Sequence, residues 1–366
     1  MIPSDIAAVT DYEAHAQARM TEQAWAYIAG GSADEITVRW NREAFSRLKL
    51  QARALPDVRD VDTRVTLFGR TPFEQTLAHP ILLAPTAYHK LAHPDGERAT
   101  VLAAAALEAA MVVSTQASVS LEDVAAEARA SQSRAPLWFQ LYLQADHGLS
   151  GALVRRAEAA GYQALVVTVD APVSLRNREQ RVGFTLPPGI EAVNVRNQPA
   201  PPAPADGRAA LRHLLATAAG WPDIAWLRGF TMLPILVKGI TNPEDAERAI
   251  AHGADGIIVS NHGGRVLDTV PATIDVLPAI ADRVAGRVPL LLDGGVRRGT
   301  DIVKALALGA SAVLIGRPYL HGLAVGGAVG VAHVLTILRT ELEVAMALTG
   351  RPTLAAIDRT VLWPES

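Results

Sequence analysis

From His79 onward the chain alternates eight times between a short apolar run and an Ala- and Leu-rich stretch of helical spacing, and nothing else in it restricts the fold as much. The runs occupy 81–84, 111–114, 137–141, 164–169, 235–237, 256–259, 290–292 and 312–315. Helical patterns fill 97–110, 121–130, 149–160, 243–252, 274–284 and 301–308 between them. Short aliphatic runs read as strands buried on both faces, and strand–helix alternation implies a parallel sheet with right-handed crossovers. Eight such units predict a closed (β/α)8 TIM barrel in preference to an open sheet.

A barrel of this kind builds its ligand site from strand C-terminal ends. Here those ends carry Pro85, Thr86 and Ala87, then Ser114, Gln140 and Tyr142, Thr168 and Asp170, Lys238, His262 and Arg265, Asp293 and Arg297, and finally Gly316 and Arg317. Any one of these is equally well read as a solvated loop residue, but a contribution from every strand is not. Lys238, directly after an apolar run, is costly to bury unless it is paired or used.

The most chemical of these ends is 256–268. His262 is a base with an ordinary pKa near neutrality, and Arg265 is a permanent cation whose planar fork suits a carboxylate. Gly263 and Gly264 let the backbone turn and let a flat ligand approach. A base beside a carboxylate anchor points to proton removal next to an acid group. After the seventh and eighth runs, 291–299 and 315–317 combine glycines with Arg297, Arg298 and Arg317, which predicts an anion site suited to a phosphorylated cofactor.

Length and composition narrow the class. A chain of 366 residues with a net charge of -3, its 34 basic and 37 acidic residues mixed throughout, shows no nucleic-acid footprint and no patch for an anionic membrane. Without cysteine there is no disulfide, thiolate nucleophile or cysteine-held metal, and no metal site is expected. No uninterrupted run of about 18 apolar residues occurs, and the N-terminus lacks the order of a signal peptide, so a cytoplasmic protein is expected.

The expected organisation is one domain over 1–366, with an extension over 1–78 and the barrel over 79–350. Residues 4–29 read as one or two amphipathic helices ending near Tyr27, whose phenol either packs in the core or points into a site. Residues 32–78 read as polar and irregular, packing over the bottom or side of the barrel. About fifty residues separate the fourth run from a helix near 221–227, where two to six are usual. Within them, 185–222 reads as a lid loop in preference to a disordered insertion, and prolines at 187–188 and 201–204 argue against packed helix there. Residues 329–348 read as a closing helix stopped by Gly350.

With these residues laid out, the chain resembles the FMN-dependent 2-hydroxy acid oxidase and dehydrogenase family, which includes glycolate, lactate and mandelate oxidases. The likeness spans nearly the whole chain and rests on five motifs in order: 84–87 (APTA), 139–142 (FQLY), 234–239 (PILVKG), 260–268 (SNHGGRVLD) and 292–299 (LDGGVRRG). The resemblance implies that His262 is the active-site base, supported by Asp170, which should raise its pKa. It implies that Arg265 binds the substrate carboxylate and that Tyr27 and Tyr142 contact the substrate. FMN contacts would come from Pro85, Thr86, Ala87, Ser114, Gln140, Thr168, Lys238 and Ser260, with Asp293, Gly294, Arg297, Gly316 and Arg317 at the ribityl and phosphate end. Lys238 would offset the negative charge of the reduced ring.

Two positions depart from the family. Its second carboxylate-binding arginine does not align without a gap, and Arg178 is the expected residue with Arg176 in reserve. Gln116 stands where glycolate oxidase has a tryptophan. The implied reaction is oxidation of an L-2-hydroxy acid, such as lactate or mandelate, to the 2-oxo acid, with O2 as acceptor because 85–87 resembles the oxidases. A dehydrogenase passing electrons to a quinone is the alternative. A flavin-barrel isomerase or a non-catalytic phosphate-binding barrel ranks below both. A homotetramer is implied by likeness alone.

Overall fold

The computed structural model describes residues 2–364 apart from 57, 70–72, 172, 197 and 199–205. The chain enters through a short 3-10 turn and three helices, α1 (Tyr12–Arg19), α2 (Glu22–Ala29) and α3 (Ile36–Arg47). Thr21 caps α2 by accepting from the Ala24 N–H at 3.1 Å. Helix α3 lies where sequence predicts irregular chain, and its cap is not local. The Asp268 carboxylate, from the loop that carries His262, accepts the N–H groups of Asp34, Ile36 and Thr37 at 3.1, 3.2 and 2.8 Å. A charge-assisted cap at a helix N-terminus also matches the helix dipole.

A two-stranded antiparallel hairpin follows, β1 (Val65–Leu67) and β2 (Gln75–Leu77). Then come the barrel strands: β3 (Ile81–Leu83), β4 (Met111–Ser114), β5 (Leu137–Leu141), β6 (Ala164–Thr168), β7 (Ile235–Ile240), β8 (Gly256–Val259), β9 (Leu290–Leu292) and β10 (Ala312–Ile315). They are joined in sequence order, and β10 pairs back onto β3 to close a parallel eight-stranded barrel. The expected TIM barrel is the observed fold, and all strands but one match their predicted runs to within a residue. The exception, β7, continues to Ile240 past a register slip between Lys238 and Ile240.

Around the barrel lie α4 (Glu97–Ala106), α5 (Leu121–Ala130), α6 (His147–Ala160), then α7 (Asn177–Arg181), α8 (Gly207–Ala216) and α9 (Trp221–Phe230) between β6 and β7, followed by α10 (Pro243–Ala251), α11 (Thr273–Val284), α12 (Gly299–Ala307) and α13 (Arg317–Leu348). Helix α8 is an element that the sequence pattern does not predict within 185–222, where prolines argue against packed helix, and it is an exposed helix. The prolines at 201–204 lie outside the described residues, and α8 begins beyond them, capped by Asp206 on the Ala209 N–H at 2.7 Å. Its Leu211, Leu214 and Leu215 are exposed.

Helix α13 begins directly after β10 rather than at 329, and non-helical Gly326 and Gly327 divide it. Among the described residues it alone is long and apolar enough, by length and composition, to cross a membrane. Here it is a core helix, with Tyr319, Leu323, Val334, Leu338 and Met346 buried against α1, α4 and α12.

Side-chain alternation sorts the strands into two layers. Outward residues such as Ile81, Val113, Phe139, Leu165 and Val237 pack under the helices. Inward residues Leu82, Val112, Trp138, Val166, Leu236, Ile258, Leu291 and Leu314 fill the interior, and Phe68 of the hairpin segment packs against Trp138 with the rings tilted and centroids 5.8 Å apart. The Trp138 indole donates to Gln75 Oε1 at 2.9 Å, which fixes the hairpin as the barrel floor.

Candidate active site

One step further along the same inward parity, the residues become Ser114, Gln140, Thr168, Lys238, Ser260, Asp293 and Gly316. Alternation therefore places a polar layer on the apolar plug at the strands' C-terminal ends, as sequence predicts. Above that layer opens a cleft of about 1030 Å³, its open mouth included. Pro85, Thr86, Ala87, Ser114, Gln140, Thr168, Lys238, Asp293, Gly294, Arg297, Gly316 and Arg317 line it, together with Tyr27, Tyr142, His262 and Arg265. Gln116 and Arg176 line it too.

His262 has a left-handed φ of +56°, as do the two glycines after it at +63° and +75°. The strand thus ends in a sharp turn, held where the His262 N–H donates to Ser260 Oγ at 3.0 Å. Its Nδ1 is 2.9 Å from Asp170 Oδ1, so the neutral ring donates there and carries its lone pair on Nε2. Gly239, with φ +109°, makes room for this pair, because a Cβ there would lie 2.5 Å from the Asp170 Cβ.

Burial pushes the His262 imidazole below its ordinary pKa; Asp170 pulls it back up, and Lys238 and Arg265 push it down. The expected rise is therefore corrected. Asp170 does act upward, but burial and two cations outweigh it, leaving a neutral base at pH 7. Burial acts to raise the Asp170 carboxyl, yet His262 and Lys238 hold it below the usual range. For Lys238, burial acts downward while Asp293 and Asp170 hold its pKa above the ordinary value. Its Nζ lies 3.3 Å from Asp293 Oδ2 and donates to Ser260 Oγ at 3.0 Å. Ser260, buried in the polar layer under the cleft, is therefore a bracket between Lys238 and the His262 backbone.

Arg265 Nη1 donates to the carbonyls of Tyr27 and Gly30 at 2.7 and 2.8 Å, and its guanidinium lies over the Tyr27 ring at 5.2 Å. Burial raises the Tyr27 phenol, and it raises Tyr142 to about 12, so both are protonated donors at neutral pH. Arg178 does not enter the site. Its guanidinium is bonded to Glu35, and Arg176 stands in the cleft wall instead. Residues two apart on the short α7 turn cannot face the same way, and Glu35 decides which of them turns outward.

At the opposite end, Arg297 donates to the Val296 carbonyl, and Arg317 donates to the carbonyls of Ile28, Gly30 and Gly263. Burial lowers Arg297 to about 10 and Arg317 to about 9. Two buried guanidiniums held by carbonyls rather than carboxylates make a site for an anion. Gln140 Nε2 and Asp293 Oδ1 are buried with no protein hydrogen-bond partner. The wall thus supplies cations for a phosphate, an acceptor for hydroxyls, and an amide donor plus Lys238 for an electron-rich ring, which fits FMN. Among the described residues no cluster of potential metal ligands occurs.

Sequence reasoning missed the supports. Asn41 of α3 exchanges hydrogen bonds with Asn261 at 2.9 and 2.8 Å, steadying the catalytic turn from behind. Thr86 is held by the buried His89 at 2.7 Å and by Tyr319. The polar His89 at helical spacing from Thr86 was the only available signal for the second; the first had none.

The comparisons agree with this geometry. A family model described as FMN-dependent dehydrogenase matches residues 16–364. An L-lactate oxidase of Nostoc sp. is 47% identical, covering 96% of this chain and 96% of that protein. A 2-hydroxyacid oxidase of Dictyostelium discoideum is 45% identical over 98% of this chain and 90% of its own. The crystal structure of a mandelate oxidase superposes with a TM-score of 0.86 at 38% identity, covering 98% of each chain.

Proposed function

The chain belongs to the FMN-dependent dehydrogenase family, and from that premise we propose that it oxidises L-lactate, or a close aliphatic L-2-hydroxy acid, with O2 as acceptor. FMN-dependent oxidation of 2-hydroxy acids is the activity its relatives share; the choice of lactate is supported by the 47% identical L-lactate oxidase. The observation that carries the reading is that a neutral, carboxylate-oriented imidazole and two arginines line the same cleft as Lys238 and Gln140.

The redox chemistry of the oxidation, with O2 as final acceptor and H2O2 as its product, would be supplied by FMN when bound. Gln140, Lys238, Ser114, Thr168 and residues 85–87 would hold its ring, Asp293 its ribityl chain, and Arg297, Arg317, Gly294 and Gly316 its phosphate. Arg265 and Arg176 bind the substrate carboxylate through their remaining N–H groups, a charge-assisted contact that fixes orientation. Tyr27 and Tyr142 donate to the substrate's oxygens. His262 Nε2 accepts the proton that leaves the hydroxyl or Cα, and Asp170 stabilises the imidazolium that results. Residues 185–222 act as a lid, a role supported by the stacking of Phe184 on Tyr27 at 4.8 Å just before them. Family likeness supports a homotetramer, and the cysteine-free composition a cytoplasmic setting.

Purified protein should be yellow and bleach anaerobically on addition of L-lactate. A panel of short, aliphatic and aromatic L-2-hydroxy acids, with peroxide measured in air and dye reduction under nitrogen, tests substrate and acceptor together. Bleaching without peroxide would select the dehydrogenase alternative.

A further inference from the structure

The two arginines that face the substrate already share a carboxylate. Arg176 Nη1 lies 3.3 Å from Glu179 Oε1, and Arg265 Nη2 lies 3.7 Å from the same oxygen. The Glu179 side chain is only 15% exposed. Two more nitrogens of the pair are committed, Arg265 Nη1 to two backbone carbonyls and Arg176 Nε to Ser174 Oγ at 3.0 Å. Arg178, between Arg176 and Glu179 in sequence, is neutralised separately by Glu35. Two guanidiniums thus face the cleft with one anion between them, leaving a single uncompensated positive charge.

We propose that Glu179 is a specificity residue: it sets the carboxylate-binding site at a net charge of about +1, so that the site accepts a monoanionic 2-hydroxy acid and discriminates against dicarboxylates. The proposal rests on the reading of Arg176 and Arg265 as the carboxylate clamp. One incoming carboxylate brings the group to neutrality. A second would stand near Glu179 in a poorly screened pocket, where like charges repel strongly, and selection against it is built in by repulsion rather than by fit. Asp170 and Asp293, on the Lys238 side, add to that repulsion.

The test uses FMN-loaded enzyme and two unreactive probes, propionate and malonate, whose dissociation constants are read from the perturbed flavin absorbance. In Glu179→Gln, malonate binding should tighten at least about tenfold relative to propionate, the equivalent of one pKa unit of charge interaction. The kcat/KM ratio of L-lactate to L-malate should fall by a similar factor, while Glu179→Asp keeps the wild-type preference. If Glu179 merely holds α7 in place, Glu179→Gln weakens both probes alike with the ratio unchanged, and the proposal is overturned. Failure of every 2-hydroxy acid to bleach the wild type would overturn the functional reading instead, and the probe ratio would still decide the role of Glu179.

Discussion

The imidazole of His262 and the carboxylate of Asp170 meet at 2.9 Å from the ends of β8 and β6, across the strand whose Gly239 leaves space for them. The carboxylate therefore fixes both the tautomer and the aim of the base. His262→Gln should keep bound FMN, measured by its absorbance, and lose anaerobic reduction by L-lactate by ~10² to 10⁴. Asp170→Asn should keep FMN and lose less, because the base remains but its orientation and the imidazolium's partner are gone.

The depressed pKa of His262 sets the pH profile. A base is active only when deprotonated, so kcat/KM should hold constant as pH falls through 6.5 and decline only below it. In Asp170→Asn the upward influence disappears, and the acid limb should move to still lower pH under a reduced maximum. A wild-type limb centred above pH 7 would contradict the burial argument.

Arg176 and Arg178 should separate in kinetics. Loss of a charged hydrogen-bonding partner predicts that Arg176→Ala raises KM for L-lactate roughly 10- to 100-fold. Arg178→Ala, which removes only a half-exposed pair with Glu35, should change KM by less than about threefold.

Gly295 has φ +96°, and a Cβ there would lie 1.9 Å from the Asn41 carbonyl oxygen. Gly295→Ala should displace α3 from the anion loop, lowering Tm by several degrees and releasing FMN on gel filtration. Gly183→Ala, also at positive φ (+59°) but with nothing within 4 Å, is the control and should cost only about 1–2 kcal/mol of backbone strain.

Buried histidines predict acid lability. Burial lowers His79 to about 4, and its ring is held as the neutral form, bonded to the Leu107 carbonyl at 3.1 Å and accepting the Ile81 N–H at 3.3 Å. The unfolded chain binds this proton near pH 6.5 and the folded one near 4, so stability falls as pH drops through that window. The loss is about 2 kcal/mol at pH 5. His79→Gln should flatten the slope of Tm against pH between 6.5 and 5.

The barrel was legible because each strand is short, wholly buried and bounded by polar residues, so a local pattern carries the whole signal. The site was legible for the same reason: one step past the apolar run, on the inward side, is a place that sequence marks. What escaped depends on distant partners. Half of the buried stripe of helix α3 is polar, Thr37 and Asn41 beside Ala44 and Phe45, so no apolar periodicity marks it, and its seat is made by Asp268 and by the glycine turns at 263–264 and 294–295. Arg176 and Arg178 are equivalent as letters and differ only because Glu35 stands beside one of them. The direction of the His262 pKa required the depth of burial, which no spacing reveals.

The cap that Asp268 places on α3 joins positions 231 residues apart. During synthesis the first partner waits for most of the barrel to be made before the second exists, so the turn bearing His262 can lock only late, when the two ends of the fold come together. A nascent or partly unfolded chain would accordingly hold a nearly complete β/α wheel that is catalytically silent.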